Sequence, residues 1–418
     1  MHDFQYKKND LHAEDVPVRK IVEKYGTPLF IYSYTTLVRH YKAFENAFSG
    51  SPHIICFALK ANSNTAILKT LAKEGCGADV VSGGELFLAM KAGIPANKTV
   101  YAGVGKTGEE IRYALKSGIL MFNIESADEL RIINKIAGES GVRAPIAFRV
   151  NPNINASTHP YISTGLKKHK FGIPMEHAIE NYRLARKMPN INIIGIHCHI
   201  GSQITKISPF VEAVKKVLLL AGKLKTHGIK IKYLDIGGGL GITYSNEVSP
   251  HPADIAKKII PLIKDDHFTL ILEPGRSIVG NAGILVTKVL YLKKSIKKEF
   301  VIVDAGMNDL IRPSLYEAYH HILPARKNKR AEILADVVGP ICESGDFFAR
   351  ERKLNAPALG DLLAVMSAGA YGFSMSSNYN GRLKPAEILV KGSEYFVIKE
   401  RETLRDLIRG EKIPGFLK

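Results

Sequence analysis

The 418-residue sequence predicts an α/β protein: a (β/α)8 TIM barrel over residues 36–280, with an antiparallel β domain built from residues 281–418 that also takes in the N-terminal 1–35. Three observations carry this. Between residues 53 and 273, short apolar runs rich in Val, Ile and Phe alternate with amphipathic stretches of helical period. There are eight such units over about 230 residues, the repeat a closed barrel requires. After residue 280 long alternating segments appear with few helical patterns between them, the texture of antiparallel sheet.

The eight predicted barrel strands are HIICFAL (53–59), ADVV (78–81), TVYAG (99–103), LMFNI (120–124), PIAFRV (145–150), IIGIHCHI (193–200), IKYLDI (231–236) and FTLILE (268–273). Helix starts are marked between them. Thr107 with Glu110, and Ser126 with Glu129, have the spacing of a capping box, in which a hydroxyl and a carboxylate satisfy orphan amides reciprocally. Pro209 and Pro252 fit first-turn positions, where the missing amide would be unpaired anyway. The segment ILVTKVLYL (284–292), then FVIVDAG (300–306), EILADVVGP (332–340) and DLLAVMS (361–367), supply the β domain, and PLFIYS (28–33) joins them. The Asn-, Pro-, Ser- and Thr-rich segment 151–165 reads as a surface loop or a lid.

Composition narrows the function classes. No run approaches the roughly 18 apolar residues of a membrane-spanning helix, and the N-terminus lacks the apolar core of a secretory signal. Four cysteines, none paired two residues apart, suit reduced thiols in a cytoplasmic protein rather than a zinc site or disulfide framework. The net charge of +18 raises a nucleic-acid reading. Its lysines, however, are scattered in short groups such as 293–294 and 297–298 rather than laid along one stripe with aromatics. A basic soluble surface that draws anionic ligands toward a cleft is expected instead, with no nucleic-acid or membrane partner. Gly103 to Thr107 resembles the end of a phosphate-binding loop, but Val100 stands where its earlier glycine belongs.

In a barrel, chemistry collects at the C-terminal ends of the strands. Lys60 follows the first strand; Asp79 lies in the second, with Ser82 to Glu85 after it; His197 and His199 end the sixth, with Ser202 after it. Gly237 to Gly239 follow the seventh, and Glu273, Gly275 and Arg276 the eighth. His197 and His199 share a strand face, yet no further ligand follows at local spacing, so no metal is expected. Together the groups suit pyridoxal 5′-phosphate, whose aldehyde needs a lysine, its phosphate a glycine-rich turn, its ring nitrogen an acid and its ring a flat surface.

The motifs FALKAN (57–62), ADVVSGGE (78–85), HCHIGSQ (197–203), GGGLGI (237–242), EPGR (273–276) and CESGD (342–346) make the chain resemble the barrel-type (fold type III) pyridoxal-phosphate decarboxylases, and among them the branch acting on diaminopimelate. The resemblance covers nearly the whole chain. It implies Lys60 as Schiff-base lysine, His199 stacked on the ring and Glu273 on the pyridinium nitrogen. It also implies Asp79, Ser202, Gly238, Gly239, Gly275, Arg276 and Tyr371 about the cofactor, and Cys342 as the proton donor. Arg276, Arg312 and Tyr316 are implied to bind the substrate's distal carboxylate and Glu343 its distal ammonium, with Tyr371 also implied to contact the substrate. The implied reaction is decarboxylation of meso-2,6-diaminopimelate to L-lysine, the last step of lysine biosynthesis, in a homodimer whose sites are shared between subunits. An amino-acid racemase of the same fold would want an arginine at the ring nitrogen, and a cofactor carrier would be a much shorter single barrel.

Overall fold

The computed structural model of the chain describes residues 2–155, 170–264 and 267–417. Of the segment 151–165, all from residue 156 onward lies outside the described residues. The chain divides into two compact units, one of Leu37–Val279 and one of Met1–Thr36 with Gly280–Lys418.

The first unit is the expected barrel. Its strands are His53–Ala58, Gly77–Val80, Thr99–Tyr101, Met121–Ile124, Ala144–Asn151, Ile191–His197, Tyr233–Asp235 and Thr269–Leu272. Each pairs in parallel with the next, and the eighth closes on the first through Leu270 opposite His53. The near-continuous apolar runs follow from this, because a parallel barrel strand is covered on both faces. Cys56, Val100, Met121, Ala147 and Ile271 pack together inside.

Local signals position the connections. Thr107 forms the complete capping box with Glu110 at the start of Gly108–Ser117, and Pro209 and Pro252 open their helices. At Ser126 only half a box forms. Ser126 Oγ accepts from the Glu129 amide, but the Glu129 carboxylate accepts from the Glu125 amide at 2.8 Å and from Lys106 at 2.7 Å. The Lys106 side chain is fully buried, and an enclosed ammonium demands a counter-charge more strongly than a helix amide demands a cap. Lys106 also donates to the Gly103 and Asn123 carbonyls, which makes the segment resembling a phosphate loop a structural anchor.

The second unit holds a nine-stranded sheet centred on Gly283–Lys294, a strand of twelve residues. Its first half pairs antiparallel with Leu29–Ser33 and Leu362–Val365, its second half with Glu299–Val303. The sheet is rich in antiparallel pairs but mixed. Leu29–Ser33 runs parallel to Ala386–Lys391, and Glu299–Val303 parallel to Glu332–Val338. An apolar alternation shows that a strand has one covered face; it carries no direction. A three-stranded sheet, Phe4–Lys7, Asp10–Ala13 and Val16–Pro17, was not anticipated. Its strands are so short that only the burial of Phe4, Leu11, Ala13 and Val16 gives it a period.

Candidate active site at the C-terminal end of the barrel

The first strand ends in a tight turn, Leu59–Ala61, that carries Lys60. Ala58 lies in register with Asp79 on the second strand, so a lysine two residues further on can reach back to that carboxylate. Lys60 Nζ donates to Asp79 Oδ2 at 2.6 Å. Asp79 is closed from solvent while the Lys60 side chain is 37% exposed, which leaves the amine open to an incoming carbonyl. Burial first, then the charge of Glu273, raise the Asp79 carboxyl above its usual range against the pull of Lys60.

Four further strands bring buried polar groups into the same barrel. His197 Nε2 lies 3.4 Å from Glu273 Oε2. The Asn123 side-chain amide lies 3.4 Å from both Asp235 Oδ2 and Glu273 Oε1. Ligand atoms of His197, Asp235 and Glu273 all fall within 4.8 Å of one another, a convergence across strands that local spacing of the two histidines did not reveal. The carboxyls cannot all ionise here. Burial would raise Glu273, but His197 and then Lys60 outweigh it and hold Glu273 well below the carboxylate range. Asp235 is driven well above that range by burial and then by Glu273. Glu273 therefore carries the negative charge and Asp235 the proton.

The glycine turn packs against this floor. A β-carbon on Gly238 would overlap the Glu273 carbonyl, and one on Gly239, whose φ is +107°, would overlap that of Gly201; only glycine permits this approach. The Gly238 amide donates to His199 Nδ1 at 3.2 Å, which fixes that nitrogen as the acceptor. Burial, then Arg149 and Lys60, push His199 well below its ordinary range, so it presents a neutral flat ring. Nearby, Arg276 is buried and donates from Nη1 to the Tyr244 hydroxyl at 2.7 Å and from Nη2 to Ser202 Oγ at 3.0 Å. Gly275 packs against Ala58 and Ala61, holding the Arg276 helix close to the Lys60 turn.

These residues fit pyridoxal phosphate. They offer a reachable amine, an ionised buried acid, a neutral ring, and a guanidinium with hydroxyls beside glycine amides. Asp79 Oδ1, Asn123 Oδ1 and His197 Nδ1 are buried with no hydrogen-bond partner among the described residues. Unmet polar atoms in an enclosed site are what a bound polar group or ordered water satisfies.

The other five expected site residues lie on the second unit. Arg312 opens the helix Arg312–Tyr316, is buried, and stacks its guanidinium 5.8 Å from the Tyr316 ring. Cys342 and Glu343 are exposed. The Cys342 amide donates to Asn380 Oδ1 at 3.0 Å, and Glu343 Oε2 accepts from the Tyr379 hydroxyl at 3.0 Å. Asp346 shapes this turn by accepting from the Met307 and Ile341 amides. Tyr371 has φ +55°, a left-handed conformation that a bulky residue holds only where its surroundings demand it.

Sequence reasoning passed over Asp235, Asn123 and Tyr244. Two carried a visible signal: Asp235 interrupts the apolar run IKYLDI, and Asn123 the run LMFNI. Tyr244 has no such contrast with its neighbours.

Residues 34–280 match the family model described as pyridoxal-dependent decarboxylase, pyridoxal binding domain. The chain is 52% identical over 409 residues to a diaminopimelate decarboxylase of Haemophilus influenzae, covering 97% of this chain and 98% of that one. It is 52% identical over 400 residues to the diaminopimelate decarboxylase of Aquifex aeolicus, covering 96% and 95%. It is also similar to the crystal structure of diaminopimelate decarboxylase from Helicobacter pylori complexed with L-lysine. There the TM-score is 0.91 at 44% identity, covering 94% of this chain and 98% of that one.

Proposed function

The chain belongs to the pyridoxal-dependent decarboxylases and, within them, to the diaminopimelate decarboxylases, and from that membership we propose a role for each site residue in converting meso-2,6-diaminopimelate to L-lysine and CO2. Bound pyridoxal phosphate supplies an electron sink for the charge left as the carboxylate departs. The chain's own residues do the rest. Lys60 holds the cofactor through its amine, and Asp79 orients that amine and faces its proton. Glu273, ionised, keeps a proton on the ring nitrogen; protonated Asp235 and the Asn123 amide hold Glu273 in place. His199 covers one ring face. Arg276, Ser202 and the turn of Gly238 and Gly239 take the phosphate, with Tyr371 beside phosphate and substrate.

The distal end sets the substrate. Diaminopimelate carries both an ammonium and a carboxylate there, and an arginine grips a carboxylate through its planar fork. Arg312 and Tyr316, with Arg276, serve the carboxylate and Glu343 the ammonium. A diamine-forming decarboxylase has no use for a buried arginine at that point. Cys342 protonates the α-carbon once CO2 has left.

Cys342 and Glu343 are exposed in the single chain, whereas a proton donor works in a site closed to water. This supports a homodimer in which the Cys342 turn completes the site of the other subunit. No described helix is long and apolar enough to cross a membrane. Together with four free thiols, this supports a cytoplasmic location.

The observation that carries the reading is the 2.6 Å pair of a reachable Lys60 with a closed Asp79, in the same barrel as an ionised Glu273. The test offers meso-diaminopimelate, L-lysine and L-ornithine in parallel to purified protein with pyridoxal phosphate and measures CO2. Release from diaminopimelate alone, lost in Lys60→Ala, is expected. Release only from lysine or ornithine would overturn the part given to Arg312.

A further inference from the structure

We propose that His320 is a positioning residue for Arg312, and that through Arg312 it sets the preference for ligands bearing a distal carboxylate; this rests on the assignment of Arg312 to that carboxylate. His320 is fully buried. Its Nδ1 lies 2.8 Å from the Met366 carbonyl oxygen, and its Nε2 lies 3.4 Å from Arg312 Nε, which donates to it. The two contacts fix one tautomer. A carbonyl oxygen can only accept, so the proton sits on Nδ1; a guanidinium N–H can only donate, so Nε2 offers its lone pair. The imidazole is therefore neutral.

The segment carrying His320 is clamped. Arg352 Nη1 donates to the His320 carbonyl at 2.9 Å, and the Met366 amide donates to the His321 carbonyl at 2.8 Å. Met366 directly follows the strand Leu362–Val365, so the ring takes its orientation from the sheet and passes it to the guanidinium. With Nε engaged by His320, a carboxylate is steered to the Nη1–Nη2 edge of the fork.

The chemistry of the partner matters as much as its position. Aspartate or glutamate at 320 would hold Arg312 equally firmly but would cancel its charge. A neutral acceptor orients the guanidinium without cancelling its charge.

The test compares two competitive inhibitors of the pyridoxal-phosphate-loaded enzyme. L-Lysine has the shape of the product and keeps the distal carboxylate; 1,5-diaminopentane has the same chain without it. In His320→Phe, which keeps the ring volume and loses both hydrogen bonds, the inhibition constant of L-lysine is expected to rise about tenfold, the loss of one hydrogen bond to a charged group. That of 1,5-diaminopentane should move less than threefold, and KM for diaminopimelate should rise more than kcat falls. His320→Gln can donate to the Met366 carbonyl and accept from Arg312, and it should restore most of the difference. Should the Phe variant not fold, His320→Asn, too short to span both partners, replaces it. Equal shifts for the two inhibitors, or no shift at all while Arg312→Ala weakens L-lysine alone, would overturn the role of His320. If Arg312→Ala leaves the two inhibitors in their wild-type ratio, the assignment of Arg312 itself falls.

Discussion

Lys60 and Asp79 stand at the ends of adjacent parallel strands, and their side chains meet at 2.6 Å with only the lysine open to solvent. The pairing aims a flexible side chain at one place before any ligand arrives. Asp79→Asn keeps the shape and removes the charge. A hydrogen bond between charged partners is worth about 1.5–3 kcal/mol, so kcat/KM is expected to fall roughly 10- to 100-fold. Borohydride reduction should still fix pyridoxal phosphate to Lys60 in Asp79→Asn, and should fix none at the site in Lys60→Ala. Wild-type turnover in Asp79→Asn would show the pair to be incidental.

Asp235 and Glu273 divide one charge between them, and this gives opposite pH signatures. Asp235 in the folded chain sits well above its unfolded value of about 3.9. Between those two values the folded state holds a proton that the unfolded state has lost, so stability falls as pH rises through that window. Asn mimics the protonated acid, can still accept from the Gly237 amide as Asp235 does at 2.9 Å, and does not titrate. Melting temperatures of the apoprotein should therefore show Asp235→Asn gaining on wild type from about pH 4 upward. Glu273 lies below its unfolded value of about 4.3. Its stabilisation is present above that value and is lost as pH falls through the folded one, so Glu273→Gln should lose stability at neutral pH. A gap between Asp235→Asn and wild type that does not change with pH would refute the shared-charge account.

Gly238 tests the turn. A β-carbon there would overlap the carbonyl of Glu273, the residue proposed to face the ring nitrogen, and backbone cannot yield as a side-chain tip can. Gly238→Ala is expected to weaken pyridoxal-phosphate binding by at least tenfold, measured by equilibrium dialysis, with a loss of about 1–3 kcal/mol in stability from overpacking. It should also disturb His199, which accepts from the same residue's amide.

Much of this was legible in the sequence, for identifiable reasons. The barrel strands were readable because burial on both faces demands unbroken apolar runs, and their ends were readable because Lys60, Asp79, Glu273 and the three glycines break those runs at equivalent points. What stayed hidden depends on contacts between distant strands. The preference of Glu129 for Lys106 over its helix cap is set across 23 positions. The acceptor role of His199 Nδ1 is set by the amide of Gly238, 39 positions on. Parallel pairing of Leu29–Ser33 with Ala386–Lys391 joins the two ends of the chain, and no local period encodes a partner. Asp235 and Asn123 could have been found, since a polar residue inside an apolar strand asks for one.

The exposed position of Cys342 makes the proposed sharing of sites between subunits testable in one mixing experiment. A positioned general acid contributes about 10²- to 10⁴-fold, so Cys342→Ala should keep a trace of turnover, while Lys60→Ala loses the cofactor attachment altogether. If each site draws Lys60 from one subunit and Cys342 from the other, a hybrid of the two variants contains one site with both residues lost and one with both intact. Refolding or exchanging an equal mixture should then restore about a quarter of wild-type activity, since half the dimers are hybrids and each has one intact site. Dilution that separates the subunits should abolish this activity in parallel with the wild type. A mixture no more active than its parents, in preparations shown to exchange subunits, would place Lys60 and Cys342 of each site on the same chain.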